Sequence, residues 1–262
     1  MSAEPVNLQR KEGLAILTLS NPDANRLNRA VLDGLGAALA QIRQSEVRAV
    51  LLRAEGPVFS WGADVKELFV ESQRADLLRL LSAYLEFIAA LEALPKPTIA
   101  AVHGVCSSGG LELALGCDYL WAAAGTKIGF LEASLGIPPL AGGVQRIAAR
   151  VGSARALEIA AAGQMYDAET FERWNIVNRV LPADTLQHDA EAFAARLAAG
   201  PTRAYAAIKT LLRSYERSGV AATDAITVAT VAPLMDSADA GAAIAALMAQ
   251  GPGRARIAFS GT

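Results

Sequence analysis

Two glutamates carry the chemistry that this sequence could do. Glu112 follows the turn Cys106-Ser107-Ser108-Gly109-Gly110, and Glu132 stands between Gly129-Phe130-Leu131 and Ala133-Ser134-Leu135-Gly136. A carboxylic acid and a carboxylate facing one substrate can give and take protons at neighbouring atoms. If the fold brings the two within several ångströms, like-charge repulsion keeps one of them protonated near neutral pH, and an acid and a base arise without a metal. The apolar surroundings of Glu132 predict a raised carboxyl pKa. Glu112, in the first turn of a helix starting near Gly110, is expected to have its ionised form stabilised by the helix dipole. Taken singly, Glu112 also reads as ordinary helix-start charge and Glu132 as a partly exposed loop carboxylate. The catalytic reading is a joint one.

Ala63 and Gly109 matter through their backbone. Each lies just beyond an apolar strand in a glycine-bearing turn, where N–H groups point away from any sheet ladder and can bind an anionic oxygen. A thioester carbonyl becoming an enolate is the kind of oxygen two such donors stabilise. Either turn alone also reads as a tight turn and nothing more.

The elements that must position these groups follow from periodicity. Gly13 to Ser20 and Val47 to Ala54 read as strands, with a helical pattern from about Arg29 to Gln44 between them and a turn at Asn21-Pro22-Asp23. Leucines and aromatics at helical spacing run from about Ala75 to Leu94 and stop at Pro95 and Pro97. Thr98 to Val102 is another apolar strand, ending at His103-Gly104 before the turn that leads to Glu112. Two strand, glycine-turn, helix units of this kind predict an α/β core with strands running the same way. Beyond Gly142 the chain is Ala-rich, with helical patterns near 153 to 162, 183 to 199, 202 to 217 and 221 to 250, and one short strand at about Ile176 to Leu181. These helices are expected to form an outer layer or an oligomer contact, and the last pattern, long and apolar on one side, favours the oligomer contact.

Composition narrows the setting. At 262 residues, 53% of them hydrophobic, the chain can bury a large core. A formal charge of -2 and an isoelectric point near 5.8, with no run of Lys and Arg, offer no basic field for nucleic acid. Cys106 and Cys117 both lie in apolar sequence, which fits a reducing compartment better than a disulfide framework. The N-terminal MSAEPVNLQRKEG has no basic region followed by an apolar core, and no eighteen consecutive apolar residues occur anywhere, so a cytoplasmic protein without a membrane span is expected.

Two other function classes compete. A serine or cysteine hydrolase would use Ser107, Ser108 or Cys106 with His103 and Asp118, but the G-x-S-x-G elbow is absent and His103 is close in sequence for a triad partner. A strand-end histidine bonded to backbone is the preferred reading of His103. A nucleic-acid-binding role needs a basic surface helix, and the densest candidate, Arg203 to Arg217 with Lys209 and Arg213, also carries Glu216 and many apolar residues.

The segments VFSWGADVKEL (Val58 to Leu68), AVHGVCSSGGLELALGCD (Ala101 to Asp118) and GFLEASLGIPPLAGGVQRI (Gly129 to Ile147) resemble, in order, three signature blocks of the crotonase, or enoyl-CoA hydratase/isomerase, superfamily. NPDANRLNRAV, GQMYDAETFERWNIVNRVLP and PTRAYAAIK are similar to its flanking segments. The resemblance implies a crotonase-like α/β fold: a spiral of ββα repeats over residues 1 to 197 and a helical C-terminal region, 198 to 262, that packs in trimers or dimers of trimers. It implies an oxyanion hole from the N–H groups of Ala63 and Gly109, and acid/base roles for Glu112 and Glu132. Isomerases of the family usually work with one carboxylate, so the pair favours hydration of an enoyl-CoA; isomerisation and other acyl-CoA enolate chemistry are the alternatives. No metal or separate cofactor is implied, because coenzyme A belongs to the substrate. It is expected along Ala24, Arg26 and Leu27, with its adenine near Ser60 to Ala63, Asp64 beside them, Lys66 near the phosphates, and Phe259 reaching a neighbouring subunit's ligand. The chain departs from the pattern at Trp61, where a small residue is usual, at Leu140, which replaces a frequent glycine, and in the weakly charged tail GPGRARIAFSGT. These departures bear on substrate preference more than on catalysis.

Overall fold

A computed structural model describes residues 4–22, 24–251 and 257–261. Asp23 of the expected turn, and 252–256 of the tail, lie outside the described residues. The larger of two sheets has the order β1-β2-β3-β4-β6-β9. Its strands are β1 (Val6–Lys11), β2 (Leu14–Leu19), β3 (Ala49–Ala54), β4 (Thr98–Val102), β6 (Tyr119–Ala123) and β9 (Arg179–Leu181). All neighbours pair in parallel except β1 with β2, a hairpin closed at Glu12 and Gly13, both with positive φ. Central strands of a parallel sheet are covered on both faces, and β2 and β4 are accordingly buried at every residue.

The small sheet, β5 (Val105–Ser107), β7 (Lys127–Gly129) and β8 (Met165–Asp167), is built from the continuations of the large one. β4 turns at His103-Gly104 into β5 and then helix α3 (Gly109–Leu115); β6 turns into β7, a 3₁₀ turn (Glu132–Leu135) and helix α4 (Gly143–Val151). β3 does the same in reduced form, since Ser60 makes a single parallel bridge to Cys106 before a π-helical segment (Lys66–Glu71) and helix α2 (Arg74–Glu92). The ββα repeat is therefore visible three times. Between β2 and β3 lies helix α1 (Arg29–Ile42), whose first turn is capped by Asn28 Oδ1 accepting from Val31 N at 3.0 Å.

Helices α5 (Ser153–Ala162) and α6 (Ala168–Arg173) complete the side facing the small sheet. Helix α7 (Leu186–Ala198) covers the other face of the large sheet, with Phe193 stacked on Trp121 at 4.7 Å between ring centroids. The strand expected from Ile176 is shorter, because Ile176 and Val177 leave Asn175, at φ 61°, as buried core residues and pairing starts only at Arg179.

The break expected between 217 and 221 is present: α8 (Thr202–Met235) is two helices meeting at a kink, where Gly219 is non-helical at φ 76°. The expected 221 to 250 helix is itself divided, since α9 (Ala238–Gln250) starts where Ser237 Oγ accepts from Ala240 N at 3.1 Å. Lys209 fastens α8 to the core through Lys96 O at 3.0 Å and Asp118 at 2.6 Å. An 18-residue window of α8 has a mean hydropathy of 1.3 and none of it is buried, so the helix is long and apolar enough to cross a membrane by composition alone. In the fold it presents an exposed apolar face that includes Val220, Val228 and Met235.

Candidate active site

The site is made where the first two repeats touch. Ser108, at the end of β5, takes φ 53° and ψ -127°, a costly conformation for a residue with a Cβ, and this sharp turn releases α3 at Gly109. The turn around Gly62 lies against it. A Cβ on Gly62 (φ 87°) would sit 2.7 Å from Ser108 Cβ and 3.2 Å from Gly109 N, and one on Gly110 would sit 2.6 Å from Ser60 Cβ. Glycine at these two positions lets backbone pack on backbone.

That approach aims two free donors at one place. Leu27 N donates to Gly62 O at 2.8 Å and Asp64 N donates to Leu27 O at 3.0 Å, the pattern of a parallel bridge opposite Ala63. The N–H of Ala63 therefore faces away from residue 27. Gly109 is the first residue of α3, whose first helical bond runs from Glu112 N to Ser108 O at 3.0 Å, so its N–H has no partner within the helix. The Cβ position of Gly109 lies 3.7 Å from Ala63 N, which makes the two donors neighbours. Tyr84, buried on α2, donates its phenol to Gly109 O at 2.7 Å and holds this turn from the other side.

Glu112, only 2% exposed, accepts at one oxygen from Ala141 N (2.7 Å) and Gly143 N (2.9 Å). Burial pushes its pKa up to about 7; those two N–H donors oppose the rise and the charge of Glu132 adds to it. This corrects the expectation of a dipole-stabilised carboxylate: in a seven-residue helix with every residue buried, desolvation outweighs the helix terminus. Glu132 is 7% exposed and accepts from Ser108 Oγ at 3.0 Å; burial raises its pKa, as its apolar surroundings predict.

Both carboxylates, Ala63, Gly109, Ser108 and Tyr84 line one cavity of about 270 Å3, together with Arg26, Leu27, Trp61 and Leu140. The remaining expected ligand contacts are elsewhere. Ser60 is fully buried, its hydroxyl donating to Asn25 O at 2.7 Å and accepting from Gly62 N at 3.0 Å, so it braces the turn and is not on the cavity wall. Ala24 (φ 49°) accepts from Trp61 N at 3.3 Å, and Asp64 Oδ1 accepts from Glu67 N at 3.0 Å to start the π-helical segment. Lys66 extends into solvent, 3.4 Å from Glu71. Phe259 O accepts from Arg48 Nη1 at 3.0 Å, next to the first residue of β3; its expected contact is with a neighbouring subunit's ligand and not with this cavity.

Tyr84 and the partnership of Ser108 with Glu132 are additions to the residues singled out from sequence. Tyr84 has the spacing of an ordinary α2 core residue, and no local signal marks it.

A larger polar cavity of about 500 Å3 lies near α8 and is lined by Glu92, Asp118, Arg146 and Lys209. Arg146 pairs there with Glu92 at 2.8 Å and Lys209 with Asp118 at 2.6 Å, while Arg150, Arg213 and Glu216 also line it, and it contains neither Glu112 nor Glu132. The smaller cavity, which gathers both carboxylates, is therefore the candidate active site. Among the described residues the expected hydrolase members are not joined in a triad: His103 Nε2 pairs with Gly56 O at 2.9 Å, Asp118 is held by Thr98 and Lys209, and the Ser108 hydroxyl is engaged by Glu132.

Residues 9–239 match the family model described as enoyl-CoA hydratase/isomerase. The chain belongs to the enoyl-CoA hydratase/isomerase family. A Bacillus subtilis protein named "probable enoyl-CoA hydratase" is 38% identical over 160 residues, 61% of this chain and 62% of that protein, so the match spans less than two thirds of that relative's length. A Mycobacterium tuberculosis protein named "probable enoyl-CoA hydratase echA8" is 36% identical over 199 residues, 74% of this chain and 75% of the relative. The crystal structure of an enoyl-CoA hydratase from Bacillus anthracis superposes with a TM-score of 0.92 at 26% identity, covering 98% of this chain and 100% of that one. The crotonase fold read from the three signature blocks is thus the fold observed, with its helical C-terminal region.

Proposed function

We propose that this family member is an enoyl-CoA hydratase. The observation that carries the reading is the convergence of two buried carboxylates and two unpaired backbone donors on one cavity. The thioester oxygen of the substrate accepts from Ala63 N–H and Gly109 N–H, which stabilises the enolate-like charge as it develops. One of Glu112 and Glu132 takes a proton from water while its oxygen bonds to the β-carbon, and the other gives a proton to the α-carbon. The double bond is consumed, water is added across it, and the carboxyl pair ends with as many protons as it began. A carboxyl with a pKa near 7 suits this role, because proton transfer in either direction then costs little at neutral pH.

Isomerisation of an enoyl-CoA is the runner-up and needs one carboxylate; Glu132, held by Ser108 on the same wall, favours hydration. Coenzyme A is proposed to leave the cavity past Arg26, Leu27 and Trp61, which line it beside Ala63. Self-association through the exposed apolar face of α8 and α9 is part of the same proposal. The test is incubation of purified protein with a trans-2-enoyl-CoA while the conjugated-thioester absorbance is followed. Loss of absorbance with formation of the 3-hydroxyacyl-CoA supports hydration; a 3-enoyl-CoA product supports the isomerase.

A further inference from the structure

Ser108 stands immediately before α3, where a serine ordinarily caps a helix by accepting from one of its first N–H groups. Its side chain makes no such bond. The backbone does not call for a serine either. Glycine adopts φ 53° and ψ -127° freely, and residues with a Cβ avoid that conformation. The main-chain bonds of residue 108, Ser108 N donating to Gly129 O and Glu112 N donating to Ser108 O, both at 3.0 Å, are open to glycine as well. Room for the Cβ exists because residue 62 has none: a Cβ on Gly62 would come within 2.7 Å of it.

What the side chain adds is a hydroxyl on the wall of the catalytic cavity. Ser108 Oγ donates to Glu132 Oε2 at 3.0 Å and accepts from Leu131 N at 3.4 Å. A hydroxyl has one hydrogen, and with an N–H approaching its lone pairs that hydrogen is directed at the carboxylate. Glu112 is held differently, by the backbone N–H groups of Ala141 and Gly143, which no side-chain change removes. Glu132 opens a four-residue 3₁₀ turn, and the Ser108 hydroxyl ties that turn to the start of α3, which carries Gly109 and Glu112.

We propose that Ser108 is a positioning residue for Glu132: the chain keeps an unfavourable backbone at residue 108 because a side chain is needed there to bring a hydroxyl to the Glu132 carboxylate and fix which way it faces. The effect on turnover rests on the hydratase reading, whereas the contact and the backbone conformation are independent of the reaction.

A hydroxyl donor favours the ionised carboxyl and so opposes the burial that raises the pKa of Glu132. The other charged or titratable side chains lining the cavity are Glu112 on α3, Tyr84 on α2 and Arg26 before α1. On α5, packed against the 3₁₀ turn, Arg155 and Glu158 pair with each other at 2.6 Å. Replacing Ser108 leaves all of these in place, so loss of the hydroxyl makes Glu132 hold its proton more tightly.

The experiment compares native protein with Ser108→Ala, which keeps the Cβ and loses the hydroxyl, and Ser108→Gly, which loses both. The measurements are kcat and KM for trans-2-hexenoyl-CoA across pH, the melting temperature, and protonation of Glu132 by infrared difference spectroscopy, its band assigned by its absence from Glu132→Gln. Both variants are expected to lose at least about tenfold in kcat with KM changed less than about threefold, and to bind the Glu132 proton at least about threefold more tightly. The limb of the pH profile that reports Glu132 moves to higher pH accordingly. Ser108→Gly is expected to melt above Ser108→Ala, because alanine alone retains a Cβ at positive φ. Native kcat in both variants, or an unmoved Glu132 titration, overturns the positioning role; an alanine variant that melts at or above the glycine variant overturns the backbone cost behind it. If native protein hydrates no enoyl-CoA, the hydratase reading fails by itself, and the Glu132 titration and the two melting temperatures then decide the role of Ser108.

Discussion

Glu112 is a carboxyl kept in the interior for its chemistry, at a cost in stability that its pKa reveals. A rise from 4.5 to about 7 on folding means that the folded state holds the proton more tightly than the unfolded one. The associated stabilisation is fully present below pH 4.5 and is lost as pH rises through about 7, an amount on the order of 3 kcal/mol. Glu112→Gln keeps an oxygen for the N–H groups of Ala141 and Gly143 and removes the ionisation. The variant is expected to be more stable than native protein at pH 8 and to lose that advantage at pH 5, which denaturant titration at the two pH values measures. Tyr84 is a positioning residue: its phenol touches Gly109 O and no reacting atom is assigned to it. Tyr84→Phe removes one hydrogen bond of about 1 kcal/mol. It is expected to lower kcat roughly fivefold with KM little changed, whereas a merely structural role would lower the melting temperature and leave kcat alone. Glu112, Glu132, Ala63 and Gly109 were legible from residue type and from their place after apolar strands. Tyr84 was not, since a tyrosine at helical spacing looks like any other core aromatic until the turn it braces is known.

At the scale of elements, the site depends on two turns being thin enough to touch. Gly110→Ala places a methyl group 2.6 Å from Ser60 Cβ and must push the α3 turn away from the turn at Gly62. The expected result is a folded protein whose acyl-CoA turnover falls at least a hundredfold, checked by kinetics beside circular dichroism. The strands were readable because β2, β3 and β4 are predominantly apolar runs, interrupted only by Thr18 in β2 and Arg53 in β3 and opened by Thr98 in β4. β1 was not: on an edge strand only Val6 is fully buried, and VNLQRK gives no clear alternation. β5, β7 and β8 are three residues each, too short for any period to show, and only their pairing defines them. The break before residue 221 was legible and falls at the non-helical Gly219, but the 221 to 250 pattern concealed a second stop at Asp236-Ser237, where Ser237 caps α9 and Pro233 is carried inside the preceding helix. A residue's place in a signature block does not say which way its side chain points: Lys66 extends into solvent, and Ser60 is buried in the core.

For the whole molecule, the exposed apolar residues gather on α8 and α9. Val220, Val228, Met235, Ile244 and Met248 are 55–81% exposed, an arrangement that fits a surface covered by further copies of the chain. Light scattering on purified protein is expected to give three or six times the 27.3 kDa chain mass, and Val228→Glu to shift it downward. A monomer at micromolar concentration would remove self-association from the account. The central claim, however, is that Glu112 and Glu132 act together on one bound enoyl thioester. The most direct measurement is the steady-state hydration of trans-2-hexenoyl-CoA by native protein, Glu112→Gln and Glu132→Gln, with hexanoyl-CoA affinity measured in parallel. The account predicts that each variant loses about a hundredfold to ten-thousandfold in kcat while affinity changes by less than about fivefold. A variant that hydrates at the native rate, or a native protein that binds the ester and leaves the double bond in place, would contradict it.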